Sequence, residues 1–308
     1  MENKVLAIGI PSYNAEPYLD RCIPTFIHEK LVDRIEVIIV NDGSKDKTWE
    51  IICELAKRND RFKGITLSRN RGHQNALLAG LMHAKDICDV TISIDCDGQD
   101  DINAMDEMMK QFLDGCDVVY GVRSKRDTDT FFKRFTAEGF YKFMHMMGAE
   151  TVFNHADYRL MSKRALEALS EYKEVNLFLR GIVPLIGFKS SKVFYERHER
   201  FAGESKYPLK KMIAFATDGI TSFSVKPLKL ISNLGIIISF LSIIALIYAL
   251  VSYLTGVAVP GWTAIIASIW LLGGIQLFCM GVVGTYVGKI YNEVKQRPRF
   301  LIETHLKK

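Results

Sequence analysis

Over residues 5–121 the chain alternates short apolar runs with amphipathic stretches. The runs VLAIGI (5–10), IEVIIV (35–40), KGITLS (63–68), VTISID (90–95) and DVVYG (117–121) read as strands: most are rich in β-branched residues and stop at turn residues. Between them lie helical patterns at 15–27 (interrupted at Pro24), 46–58, 73–84 and 103–113. In the second of these, Trp49, Ile51, Ile52 and Leu55 fall on one face. Strand–helix alternation with short loops predicts an α/β fold with a parallel sheet covered on both faces. Ligands of such sheets bind beyond the carboxyl ends of the strands. The loops expected there are polar: PSYNAE, NDGS, RNRGHQ, DCDGQD and GVRSKR.

The pattern changes further along. FFKRFTAEGFYKFMHMM (131–147) is amphipathic, and its Phe and Met face either packs on the core or touches lipid. In the stretch from Lys206 to Pro227, Leu209, Met212, Ile213, Ala216, Ile220 and Phe223 share one helical face with Lys210 and Lys211 off it, the pattern of an interfacial helix. Residues 230–254 and 263–288 are apolar runs, and no Asp, Glu, Lys or Arg occurs between Lys229 and Lys289. Each run exceeds the roughly 20 residues needed to cross about 30 Å of hydrocarbon. Lys226, Lys229, Lys289, Lys295, Arg297 and Arg299 flank the pair, which places both outer ends in the cytoplasm. The expected organisation is a cytoplasmic domain (1–205), interfacial helices (206–229), a transmembrane hairpin (230–288) and a cytoplasmic tail (289–308). Gly273, Gly274, Gly281, Gly284 and Gly288 in the second span suit close helix packing and leave association of copies open.

Composition adds little to this picture. The 308 residues carry a net charge of +5, too mild to argue for nucleic acid, and no motif that reads DNA or RNA is present. The six cysteines are scattered, with no Cys-x-x-Cys pair, as in reduced core positions. Two apolar spans without intramembrane charge offer no transport path.

The chemistry concentrates at the end of the fourth strand. Alternation along an extended chain turns Asp95, Asp97 and then Gln99 to one side. Such close carboxylates repel, and a hard cation such as Mg²⁺ or Mn²⁺ relieves the repulsion. Asp100 and Asp101 are read as caps of the next helix. Asp157 is either a base or the partner of Arg159; Arg126 and Lys133 either bind an anion or are solvated; His73 either starts a helix or binds a ligand.

IPSYNAE, VNDGSKDKT, SRNRGHQNAL and DCDGQD together resemble family-2 inverting glycosyltransferases of GT-A (Rossmann-like) fold. YGVRSKR, DYRLMSKRAL, FLRG, RFAGESKYPLKKM and GTYVGKIYNEVKQRP, with the hairpin, resemble the subgroup acting on polyisoprenyl phosphates. The resemblance spans nearly the whole chain. It implies that Pro11, Tyr13, Asn14 and Glu16 shape the nucleotide pocket, and that Asp42 binds the base. Asn70, Gly72 and His73 would lie near the nucleotide or diphosphate, and Asp95, Asp97 and Gln99 would hold the metal. Arg123, Arg126, Arg200 and Lys206 would meet the acceptor phosphate, and Asp97, Asp157 and Arg123 would serve catalysis. Asn41 stands where the pattern has an aspartate, and Ala15 precedes Glu16. The implied reaction moves one hexose from a nucleotide sugar, UDP-glucose first, then UDP-N-acetylglucosamine or GDP-mannose, to polyprenyl phosphate at the inner membrane. A processive synthase is disfavoured, because no Trp follows an Arg as in Gln-x-x-Arg-Trp. A non-catalytic membrane subunit is the remaining alternative.

Overall fold

The computed structural model describes residues 4–22, 32–124, 146–147, 155–196, 217, 220–222, 224–255 and 261–306. They divide into two compact units. The first holds residues 4–124, 155–196 and 296–306; the second holds 146–147 and the described residues of 217–295.

The first unit is built on β1 (Val5–Ser12), β2 (Arg34–Asn41), β3 (Phe62–Leu67), β4 (Val90–Ser93), β5 (Val118–Arg123), β6 (His155–Ser162), β7 (Ser190–Tyr195) and β8 (Ile302–Leu306). They form one eight-stranded sheet in the order β7-β5-β6-β4-β1-β2-β3-β8. The helices are α1 (Glu16–Cys22), α2 (Thr48–Arg58), α3 (His73–Ile87), α4 (Ala104–Leu113), α5 (Lys163–Ser170) and α6 (Leu179–Leu185). Period-2 alternation explains how the sheet is covered. Leu6, Ile8 and Ile10 of β1 and Ile35, Val37 and Ile39 of β2 join a core with Ile52 and Leu55 of α2 and Met105, Met108 and Met109 of α4. Ala7, Ile38 and Val40 point the other way, onto Ala76, Ala79 and Ala84 of α3. With both faces buried, the central strands are apolar throughout.

The five strands expected from the sequence share one direction, and the sheet becomes mixed through two strands from later in the chain. β1 to β4 are parallel, but β6 runs antiparallel between β4 and β5, and β8 runs antiparallel beside β3. The antiparallel insertion has a consequence for chemistry. β6 begins where β4 and β5 end, so its first residues reach the same edge as their carboxyl ends. The expected tail also differs: its first part continues a helix to Lys295, and Ile302–Leu306 is a strand of the sheet. Phe300 packs on the α3-side core, and Leu306 on the opposite one.

The second unit contains α7 (Lys226–Leu254) and α8 (Trp262–Lys295). Helix α7 starts before the apolar run, taking in Lys226 to Lys229 assigned to the interfacial segment. Lys226–Ala245 and Leu271–Lys295 are long and apolar enough to cross a membrane. Their large apolar side chains are exposed on all sides, among them Ile236, Phe240, Ile243, Ile247, Ile269, Leu277 and Phe278. A helix pair this apolar and this uncovered is a poor solute in water. Polar contacts gather near the ends that carry the lysines. Tyr286 donates its hydroxyl to the Ser224 carbonyl (2.6 Å), and Lys289 Nζ donates to Ser222 Oγ (2.8 Å). Among the described residues, a Cβ at any of Gly273, Gly274, Gly281, Gly284 or Gly288 would meet nothing within 4 Å, so none of these glycines is needed for close approach to them.

Candidate active site

Four loops close over the carboxyl edge of β1 to β4. Asn14 sits in the left-handed region (φ 47°), which Asn tolerates better than most residues. Its amide donates to Ser44 Oγ (3.0 Å) and its Oδ1 accepts from the Lys45 amide (3.1 Å), tying the β1 loop to the β2 loop. Glu16 completes that seam by accepting from the Lys47 amide (3.4 Å). Asn14 and Glu16, expected in the nucleotide pocket, thus brace its wall. Asn41 is buried and bridges Thr66 Oγ1 and the Ser44 amide, again a bracing role.

Asp42 organises the next loop. Its two oxygens accept from the amides of Arg71 (2.7 Å) and Gly72 (2.9 Å), and Asn70 Oδ1 accepts from Gly72 as well. Burial raises the Asp42 pKa, against the pull of those two amides. Gly43 is required here. It has φ 65°, and a Cβ would lie 2.7 Å from the Asn70 nitrogen and 2.8 Å from the Arg69 carbonyl carbon. The result is an open cleft lined by Pro11, Ser12, Tyr13, Asp42, Asn70, Gly72, His73 and Ala76. Tyr13 is 48% exposed, an aromatic ring lining the cleft.

The acidic loop adjoins this cleft through His73. Strand β4 ends at Ser93, and the chain turns at Cys96 to Gly98, where Gly98 has φ 69°. Extended alternation therefore does not carry Gln99 beside Asp95 and Asp97. Instead the Gln99 amide donates to Asp97 Oδ1 (3.2 Å), and the Gln99 side chain is buried. Asp95 lies 3.7 Å from His73 Nε2. Its pKa is pushed up to about 6, first by burial, then by the charges on Asp100, Asp157 and Asp97, with His73 acting in the opposite direction. A carboxylate in that state favours an added cation. Among the described residues no cluster of three or more His, Cys, Asp or Glu forms a ready-made metal cage. Two carboxylates at an open cleft fit instead a hard divalent ion that completes its shell with water and substrate phosphates.

The other acidic residues are already engaged. Asp100 does not cap α4. It is 4% exposed and accepts from the Tyr195 hydroxyl (2.5 Å) and Arg123 Nη2 (3.4 Å), while Arg123 Nε donates to Tyr195 Oη (3.3 Å). Arg123 and Tyr195 are register neighbours on β5 and β7, so two strand ends grip the acidic loop. Asp101 accepts from the amide and side chain of Asn103 at the turn into α4. Asp157, at the start of β6, is the hub of a second cluster. Its Oδ1 accepts from Arg159 Nη2 (2.7 Å) and Arg180 Nε (3.2 Å). Its Oδ2 faces Arg180 Nη2 (3.1 Å), His73 Nε2 (3.2 Å) and Gln74 Nε2 (3.3 Å). Burial works to raise the Asp157 pKa, but His73, Arg180 and Arg159 together hold it well below the usual carboxylate range. A carboxylate so stabilised is a weak base, which favours the ion-pair reading of this residue. His73 is raised on balance: burial lowers it, and Asp157 and Asp95 more than reverse that. Arg126, Lys133, Arg200 and Lys206 lie outside the described residues.

A family model described as "Glycosyl transferase family 2" matches residues 7–170, the stretch that carries the cleft, the acidic loop and Asp157. The chain belongs to glycosyl transferase family 2. The transferase is 50% identical to the uncharacterized glycosyltransferase YkoT of Bacillus subtilis, over 98% of this chain and 92% of that one. It is 37% identical to the SfII prophage-derived bactoprenol glucosyl transferase of Shigella flexneri, over 97% of each chain. A prophage bactoprenol glucosyl transferase homolog of Escherichia coli is also 37% identical, over 97% of this chain and 98% of that one. Among solved structures, that of S. aureus TarS 1-349 in complex with UDP-GlcNAc is 17% identical, with a TM-score of 0.47 over 71% of this chain and 66% of that one.

Sequence reasoning singles out Asp95, Asp97, Asp42 and His73, of which Asp42 and His73 line one cleft and Asp95 lies beside His73. It missed what Asp100, Tyr195, Gln74 and Arg180 do. Tyr195 and Arg180 sit 95 and 23 residues from the carboxylates they engage, with no local spacing to announce the contact. Arg180 lies in FLRG, a stretch to which the resemblance attaches no residue role.

Proposed function

We propose that the transferase moves one glucosyl unit, with inversion, from UDP-glucose to polyprenyl phosphate at the cytoplasmic face of the inner membrane. The observation that carries this is the end-to-end likeness to proteins named bactoprenol glucosyl transferases, which extends through both apolar helices. The cleft beside a cation-seeking pair of carboxylates supports a nucleotide diphosphate as the donor.

The geometry supports the following roles. Tyr13 offers a face for the base, and Asp42 fixes the Asn70–Gly72 turn against which the nucleoside rests. Asp95 and Asp97 would hold Mg²⁺ or Mn²⁺, which when bound supplies Lewis-acid stabilisation of the departing diphosphate. His73, at the end of the cleft and 3.7 Å from Asp95, is placed to donate a hydrogen bond to a phosphate oxygen. The acceptor phosphate is anionic at neutral pH and needs no strong base, in keeping with the depressed pKa of Asp157. Arg123 acts on the site through Asp100, steadying the acidic loop.

The test is transfer of label from UDP-glucose, UDP-N-acetylglucosamine or GDP-mannose into organic-extractable lipid, using detergent-purified protein, polyprenyl phosphate and either metal. Label from UDP-glucose alone, abolished by chelator and by Asp97→Asn, is the expected result. Label from a different donor would change the sugar and keep the reaction. Absence of lipid-soluble label from every donor, with folded protein, would overturn the reading.

A further inference from the structure

Asp157 is one carboxylate facing three groups that carry or can take positive charge. Arg159 lies beneath it, 1% exposed, and donates to Oδ1. Arg180 grips it as a fork, Nε on Oδ1 and Nη2 on Oδ2. His73 shares Oδ2. Only Arg159 is walled off: 31% of the Arg180 side chain and 43% of that of His73 are exposed. A two-pronged pair between guanidinium and carboxylate is strong and fixes orientation. Arg180 is therefore a pre-positioned cation, not a side chain wandering in solvent. Its place is also defined. His73 lines the cleft and faces Asp95, and Arg180 stands next to it across the same carboxylate oxygen. Arg180 thus lies just past the end of the nucleoside cleft, where the substrates' phosphates meet in the proposed reaction. A guanidinium matches phosphate oxygens in geometry and stays charged at any working pH.

We propose that Arg180 is a phosphate-binding residue of the active site, held in position by Asp157. The inference rests on the transferase reading and adds to it a cation that the sequence motifs did not assign. The phosphate is either the diphosphate of the donor or the monoester of the lipid acceptor, and binding measurements separate the two.

The full chain in detergent is titrated with UDP in the presence of Mn²⁺ and, separately, with farnesyl phosphate. The parent, Arg180→Ala and Arg180→Lys are compared, and unliganded thermal unfolding records any purely structural effect. The expected result is at least a tenfold loss of affinity for one probe in Arg180→Ala, with a smaller loss in Arg180→Lys, which keeps the charge but not the fork. Loss confined to UDP assigns Arg180 to the donor; loss confined to farnesyl phosphate assigns it to the acceptor. If the parent binds the probes and both variants bind them within twofold of it, Arg180 is only a structural partner of Asp157 and the proposal falls alone. A parent that binds neither probe sinks the transferase reading, and this proposal with it.

Discussion

Arg159 is 1% exposed and owes its tolerance of burial to Asp157. Removing one partner of a buried ion pair strands the other charge, at a cost of about 3–5 kcal/mol. Asp157→Asn is therefore expected to lower unfolding stability by about that amount, measured by chemical denaturation. The pH dependence identifies the cause. An ordinary Asp titrates near about 3.9 when unfolded, and Asp157 titrates well below that when folded. A depressed folded value means the stabilisation is fully present above the unfolded pKa and is lost as pH falls through the folded one. The gap between parent and Asp157→Asn should widen slightly as pH falls from neutral to about 6, where His73 becomes charged in both the folded and unfolded states, then hold to about 4 and shrink below it. A gap that stays constant into acid would show that Asp157 stabilises by packing. Gly43 gives a second prediction at this scale. Gly43→Ala combines a left-handed φ with backbone contacts under 3 Å, so the 69–72 turn must shift. The expectation is a loss of about 1–3 kcal/mol in stability together with weaker UDP binding; calorimetry that finds both unchanged rejects it. What could be read from the sequence at this scale was what local spacing encodes, as with Asp95 and Asp97. Asp100 was legible as an acid but not as the partner of Tyr195, because that bond joins strand ends brought together only by the folded sheet.

At the scale of elements, the central strands and the helices of the first 113 residues were legible because burial on two faces leaves a strong apolar signature. The antiparallel members were not. β8 is a five-residue strand, IETHL, with three consecutive polar residues between Ile302 and Leu306, and its pairing partner lies more than 230 residues earlier. Nothing in a window of that length distinguishes an edge strand from a charged tail. Yet the strand is well tied in. The Ser68 amide donates to the Leu301 carbonyl, Arg299 Nη1 donates to the Tyr172 carbonyl, and His305 meets His83 at 3.2 Å. Deleting residues 297–308 would expose the edge of β3 and remove the contacts of Phe300 and Leu306 with the two cores. Full burial of a side chain of that size contributes about 1.5–3 kcal/mol; these two are partly buried and give less each, but together with the lost ladder of β8 they should lower the unfolding temperature of the truncated chain. Unchanged unfolding of the truncated protein would mean that β8 merely rests on the sheet.

For the whole molecule, the return of the chain constrains topology more firmly than hydropathy does. The first unit is assembled from residues on both sides of the two apolar helices, since β3 and β8 pair in one sheet. A single sheet cannot be closed from segments left on opposite sides of a bilayer. A membrane-spanning reading of this chain therefore requires an even number of crossings, and α7 and α8 are two helices long and apolar enough to make them. The lysines agree: Lys226 and Lys229 precede the first span, Lys289 and Lys295 follow the second, and the link between them carries no charge. This arrangement predicts that the protein stays with membranes through an alkaline carbonate wash, which strips peripheral proteins. It also predicts the sidedness of single introduced cysteines, compared with the signal of the six native ones. Thr255→Cys, at the end of α7, should react with an impermeant maleimide added to intact cells, whereas Ser190→Cys, on the exposed edge strand β7, should react only after the membrane is opened. Labelling of Ser190→Cys from outside would invert the topology. It would also remove the donor from reach, because nucleotide sugars are supplied on the cytoplasmic side, and the proposed reaction would fail with it.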